Sequence, residues 1–144
     1  MEIVNRKAKF EYEFLLTLEA GMQLTGTEVK SLRNGDVNMG DAWCLFQDGE
    51  LFIKNLHIGE YKHASTEQHM PLRIRKLLLH KAELKKLERR VTEKGLTIVP
   101  YRIFFAESGF AKCEIAVARG KKSFDKRQSI KEKDVQRDMD RRKI

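Results

Sequence analysis

The supply of large apolar residues in this chain nearly stops at Arg119, which limits any packed core to the residues before it. Beyond that point only Phe124, Ile130, Val135, Met139 and Ile144 remain. They are too few to offset the entropy of ordering a chain. Residues 1–118 are therefore expected to form a folded body and residues 119–144 a basic C-terminal tail. Charge divides at the same joint. The tail holds eleven Lys and Arg against five Asp and Glu, a net +6 of the chain's +8. Ile130 to Arg142 contains no Gly or Pro, so the tail is expected to be disordered alone and helical once a partner supplies a surface.

The body reads mainly as strands. Tyr12, Phe14, Leu16 and Leu18 alternate with more polar residues, and Ala20-Gly21 is expected to break that strand before Met22 to Leu24 resume it. Ala42 to Phe46 and Leu51 to Ile58 flank Asp48-Gly49, a two-residue hairpin signal. Leu96 to Ala106 is apolar on both faces, and Pro100 calls for an edge or a bulge there. Phe110 to Ala118 returns with Ala111, Cys113, Ile115 and Val117 pointing inward. Three helices are expected between or beside these strands. One is short, over Asn5 to Phe10, with Asn5 near its N-cap. A second is capped by Thr25 or Thr27 and stopped by Asn34-Gly35, with Lys30 and Arg33 outward. The longest runs from about Lys81 to Lys94, with a stripe of Leu84, Leu87 and Val91. Gly59 to Arg75 reads as a surface loop, and Trp43, Cys44 and Cys113 as core residues. The expected fold is a small antiparallel β-barrel of oligonucleotide-binding type with about three flanking helices.

A surplus of +8 argues for a polyanionic partner, either nucleic acid or an anionic membrane surface. The start lacks the apolar core of a signal peptide and no run reaches the length of a membrane helix, so a cytosolic chain without membrane contact is expected. Four His and two Cys show no zinc spacing, and no metal or other cofactor is expected. No catalytic residues can be nominated: Glu19, Glu28 and Asp41 are scattered, and a Gly-rich phosphate loop is missing. A basic RNA-binding module is favoured over a metal nuclease.

The chain also resembles a known family, bacterial small protein B, the SsrA-binding proteins that partner tmRNA in trans-translation. The resemblance rests on Asn5-Arg6-Lys7-Ala8, Glu19-Ala20-Gly21, Leu24 through Arg33, Arg75 through His80, and Gly120 through Arg127, in the family's order. It implies a non-enzymatic, monomeric protein with two partners. One is tmRNA, held at its tRNA-like domain. The other is the 70S ribosome, whose small-subunit decoding centre and mRNA channel would receive the tail. By the same resemblance Asn5, Glu19 and Leu78 match RNA-binding positions, with Thr27, Glu28 and Lys30 in a segment beside the RNA surface. Gly120, Lys121, Lys122, Phe124, Asp125, Lys126 and Arg127 match the decoding-centre contact. Relatives often carry His or Tyr where this chain has Phe124, which keeps a stacking face and loses a hydrogen bond.

Read as chemistry, Asn5 either caps a helix or bonds RNA, and Leu78 either packs inside or meets a nucleobase. Glu19 cannot attract phosphate, so it accepts a hydrogen bond or orients a neighbouring cation. Lys30, Arg33 and Lys112 are phosphate candidates. A structural ribosomal or general RNA-binding protein, its tail only an electrostatic anchor, is the competing reading.

Overall fold

The structure, a computed structural model, describes residues 2–64, 67–92 and 95–121. Expectations for the tail beyond Lys121 lie outside the described residues. Twelve elements follow one another in the described chain: β1 (Glu2–Val4), α1 (Arg6–Glu11), β2 (Tyr12–Met22), α2 (Gly26–Arg33), β3 (Val37–Asn38), β4 (Trp43–Gln47), β5 (Glu50–Lys54), β6 (His57–Ile58), β7 (Arg75–Leu78), α3 (Lys81–Val91), β8 (Leu96–Phe105) and β9 (Ala111–Gly120). The architecture is mainly β with three helices.

Seven strands pair in the order β1-β8-β4-β5-β7-β2-β9, and β9 also pairs with β8. Every ladder is antiparallel. The pairing that leaves β8 through β4 therefore returns to it through β9. β3 and β6 form a separate two-stranded ribbon. The main core lies inside the ring of pairings, where Ala20, Leu51, Ile53, Leu77, Ile98, Ile103, Cys113, Ile115 and Val117 meet. Leu84, Leu87 and Val91 of α3 bury the expected stripe against it. A smaller cluster, Ala8 with Val99, Ala116 and Ala118, holds α1 on the outside of β8 and β9.

Local chemistry explains the elements. Asn5 Oδ1 accepts from the Ala8 amide at 3.2 Å and starts α1. Thr25 and Glu28 cap α2 reciprocally, and Gly35 at φ 75° supplies the left-handed residue that ends it. Asp48 and Gly49 both have positive φ, the geometry a tight two-residue hairpin requires. Pro100 sits at a register shift between Pro100 and Arg102 on β9. That shift puts Ile98 and Ile103 into the same core although they are five residues apart, so alternation is interrupted along β8.

Three expectations need correction. β2 runs unbroken through Ala20-Gly21. Gly21 is a point of close approach: a Cβ there would meet the Leu78 Cβ at 3.4 Å. Trp43 lies on the outside of β4 and is 38% exposed, because Cys44 and Phe46 take the inward positions. The segment from Gly59 to Arg75 is anchored inside, with His69 and Arg75 buried. Cys44 and Cys113 are free and buried as expected, and burial pushes the Cys113 thiol up to about 12.

Candidate nucleic-acid interface

Period-two geometry assigns alternate residues of β8, β9, β2 and β7 to the outer face. Their registers align one row across four strands: Phe104 opposite Lys112, Lys112 opposite Gly21, Gly21 opposite Leu78. Gly21 offers no side chain, so the centre of the row is a shallow floor. Leu78 and Lys112 flank it, roughly 10 Å apart at two strand spacings. A second row places Arg102 opposite Glu114 and Glu114 opposite Glu19.

Leu78 is 48% exposed and Phe110, at the tip of the β8–β9 turn, is 73% exposed. Both border a hollow of about 340 Å³, together with Glu19, Gly21, His80 and Lys112. Apolar groups so open to water are suited to meeting the faces of unstacked bases. The side chains of Glu19 and Lys112 make no hydrogen bond or ion pair among the described residues. Lys112 thus offers an uncompensated cation, and Glu19 an acceptor for a base or ribose donor.

Arg102 lies 4.2 Å from the centre of the Phe104 ring and bridges Glu114 at 2.9 Å and Glu2 at 3.6 Å. The bond to Glu114 is the main cause that raises its pKa, with Glu2 and Glu19 adding through space. Glu19 therefore acts on this cation electrostatically.

The other nominated residues have partners within the protein. Asn5 Nδ2 donates to Pro100 O at 2.9 Å and Met39 O at 3.2 Å, so its whole amide is engaged internally. It locks α1 onto the bulge of β8. Glu28 is fully buried; its carboxylate pairs with Arg73 at 2.6 Å, with Arg75, and with the Thr25 amide at 2.9 Å. His69 Nε2 donates to the Ile58 carbonyl at 2.9 Å, and its Nδ1 is hydrogen-bonded to Thr27 Oγ1 at 2.8 Å. Thr27 and Glu28 thus hold the long loop against α2. Lys30 and Arg33 project from α2 over the Tyr61 and Phe105 rings, at 5.3 and 4.2 Å.

Glu19, Leu78 and Lys112 are brought together; Asn5 and Glu28 are buried and Thr27 half-buried, each bonded within the protein. Gly120 ends β9, and the Lys121 amide bonds Glu11 O at 2.9 Å. Lys122, Phe124, Asp125, Lys126 and Arg127 lie outside the described residues. Phe110 was missed by sequence reasoning, although a large aromatic directly after Glu107-Ser108-Gly109 is a signal for a turn-tip contact. No group of three or more His, Cys, Asp and Glu is placed to hold a metal among the described residues. No described helix is long and apolar enough to cross a membrane.

Comparison with known proteins points the same way. A family model described as SmpB protein matches residues 2–143. An SsrA-binding protein of Phocaeicola vulgatus is 52% identical over 141 residues, covering 98% of this chain and 94% of that one. One from Cytophaga hutchinsonii is 54% identical over 144 residues, covering 100% and 94%. A solved structure described as "tmRNA-SmpB: a journey to the center of the bacterial ribosome" contains a chain with a TM-score of 0.72 and 50% identity over 85% of each chain.

Proposed function

This chain belongs to the SmpB protein family, and from that premise we propose that it binds the tRNA-like domain of tmRNA and delivers it to stalled ribosomes in trans-translation. The observation that carries the reading is the convergence of Leu78, Glu19 and Lys112 around the bare floor at Gly21. That arrangement supplies an apolar contact, an acceptor and a cation around one shallow floor, which is what an unstacked, phosphate-linked base requires. Asn5, Thr27 and Glu28 act in this reading as positioning residues. Lys30 and Arg33 add positive charge on α2. The ring of strand pairings is read as a barrel of oligonucleotide-binding type with β1 added at β8.

In the same reading the protein works without catalytic groups, and its basic tail enters the empty decoding centre and mRNA channel. Gly120 and Lys121 form the root of that tail; Lys122, Phe124, Asp125, Lys126 and Arg127 make the contact, with Phe124 stacking on a decoding-centre base. A tagged copy expressed in its bacterial host tests this. One small RNA with a tRNA-like end should dominate the captured RNA and should be depleted by Glu19→Ala. Ribosomal RNA alone, with no such species, would favour the structural ribosomal reading.

A further inference from the structure

The outside of the β4–β5 hairpin carries one exposed ring, Trp43, and one half-buried ring, Phe52. Trp43 and Leu45 alternate outward on β4, Phe52 and Lys54 on β5, and Lys76 on β7. Registers align Leu45 with Phe52 and Phe52 with Lys76, while Trp43 faces Lys54. Leu45 and Phe52 are half-buried yet packed against neither apolar cluster. The helices lean elsewhere: α1 on β2 and β8, α3 on β8 and β9, α2 on β6. Lys54 Nζ lies 5.9 Å from the centre of the Trp43 ring. Lys76 pairs with Glu50 at 2.5 Å, and that pair is partly exposed. Lys7, beside the hollow at the other end of this face, makes an exposed contact to Asp41 at 3.4 Å.

We propose that this face is a second RNA contact, a stacking track on which unpaired bases of the same RNA continue from Leu78 over Phe52 to Trp43. The proposal rests on the reading of the Leu78 face as an RNA site. Continuity is its main support. Lys76 and Leu78 are alternate residues on the same side of β7, so the two faces share an edge. Two strand spacings, about 10 Å, separate β7 from β4, within reach of a single strand held at Leu78. The chemistry is that of single-strand binding: aromatic faces accept bases of any sequence, and lysines between them follow the phosphates. In barrels of oligonucleotide-binding type, a face of neighbouring strands is a common platform for the nucleic acid.

Trp43 is the only tryptophan in the chain, so its emission reports this face alone. The full chain is titrated with the tRNA-like domain of tmRNA carrying its single-stranded flanks, with binding followed in parallel by anisotropy of end-labelled RNA. The expected result is quenching of Trp43 that saturates with the anisotropy. Phe52→Ala should weaken binding about tenfold, and Lys54→Gln should reduce the slope of log affinity against log salt by about one. Lys54→Gln removes no apolar contact and keeps the test readable should Phe52→Ala unfold. RNA that binds and is lost on Leu78→Ala, yet leaves Trp43 emission and both β5 variants unchanged, would overturn the track and spare the Leu78 site. Emission that changes with protein concentration without RNA would assign the face to a second copy and overturn the proposal. No RNA binding at all would remove both readings.

Discussion

Replacing Glu28 by Gln should destabilise the body by about 3–5 kcal/mol without touching the RNA face. The magnitude follows from both partners of the buried pair. Burial alone would raise the Glu28 pKa and is the largest influence on it, yet the bond from Arg73, the Thr25 amide and the bond and charge of Arg75 overcome it. The net result is a carboxyl lowered from 4.5 to about 2. A fall of that size corresponds to about 3 kcal/mol of folding free energy at neutral pH, at roughly 1.36 kcal/mol per pKa unit. The other partner is Arg75. Arg75 is 0% exposed, so losing the Glu28 charge strands a buried guanidinium, a class of change that costs about 3–5 kcal/mol. Thermal unfolding at pH 7 should show a melting temperature roughly 10–20 °C below the parent. The sign with pH is fixed by the depressed folded-state value. The contribution is present above the unfolded carboxyl range near 4.5 and is lost as pH falls through about 2. Denaturant titrations at intervals through that window should show the parent losing a component of stability that Glu28→Gln never had. A variant melting within about 2 °C of the parent at pH 7, or keeping the parent's full acid slope, would mean that the buried Glu28–Arg75 pair contributes little to stability.

Asn5→Ala removes a helix cap and the donor to two carbonyls together, and should cost about 2–3 kcal/mol in urea unfolding; unchanged stability would return Asn5 to a direct RNA role. A chain ended after Lys121 should fold and bind the tRNA-like domain while no longer supporting tagging on stalled ribosomes. Cutting at Ala118 instead would remove the Arg119–Glu13 pair at 2.9 Å and the last rungs of β9, so its melting temperature should be lower. Phe124→Ala should leave RNA affinity within about twofold and lower tagging; full tagging by that variant would remove the stacking role.

Much of the fold follows from local chemistry. The Asp48-Gly49 hairpin, the Asn5 and Thr25 caps, the α3 stripe and the inward face of β9 depend on residues close in sequence, and each is legible there. What was hidden depends on partners far apart. Glu28 and Arg75 are separated by 47 positions, and nothing near either one says that both charges are buried together. Gly21 looked like a strand break because glycine weakens strands in general; its purpose appears only when Leu78 is set beside it. Trp43 looked like core because large rings usually are, yet it alternates with the inward Cys44 and Phe46 and so points outward. Of the candidate site, the identities of Glu19, Leu78 and Lys112 were nominated from sequence, but their meeting at one floor requires the β7–β2–β9 register. Phe110 entered only through its exposure.

The central claim is that the outer face around Gly21 holds the RNA, and Leu78→Asp tests it most directly. The side chain is 48% exposed, so the change disturbs little packing. It removes an apolar contact and sets a negative charge where phosphates must approach. Equilibrium binding of the tRNA-like domain of tmRNA, measured beside thermal melts of both proteins, should show affinity at least about tenfold weaker at an unchanged melting temperature. Parental affinity in the Leu78→Asp variant, at any salt concentration where the parent binds, would contradict the account.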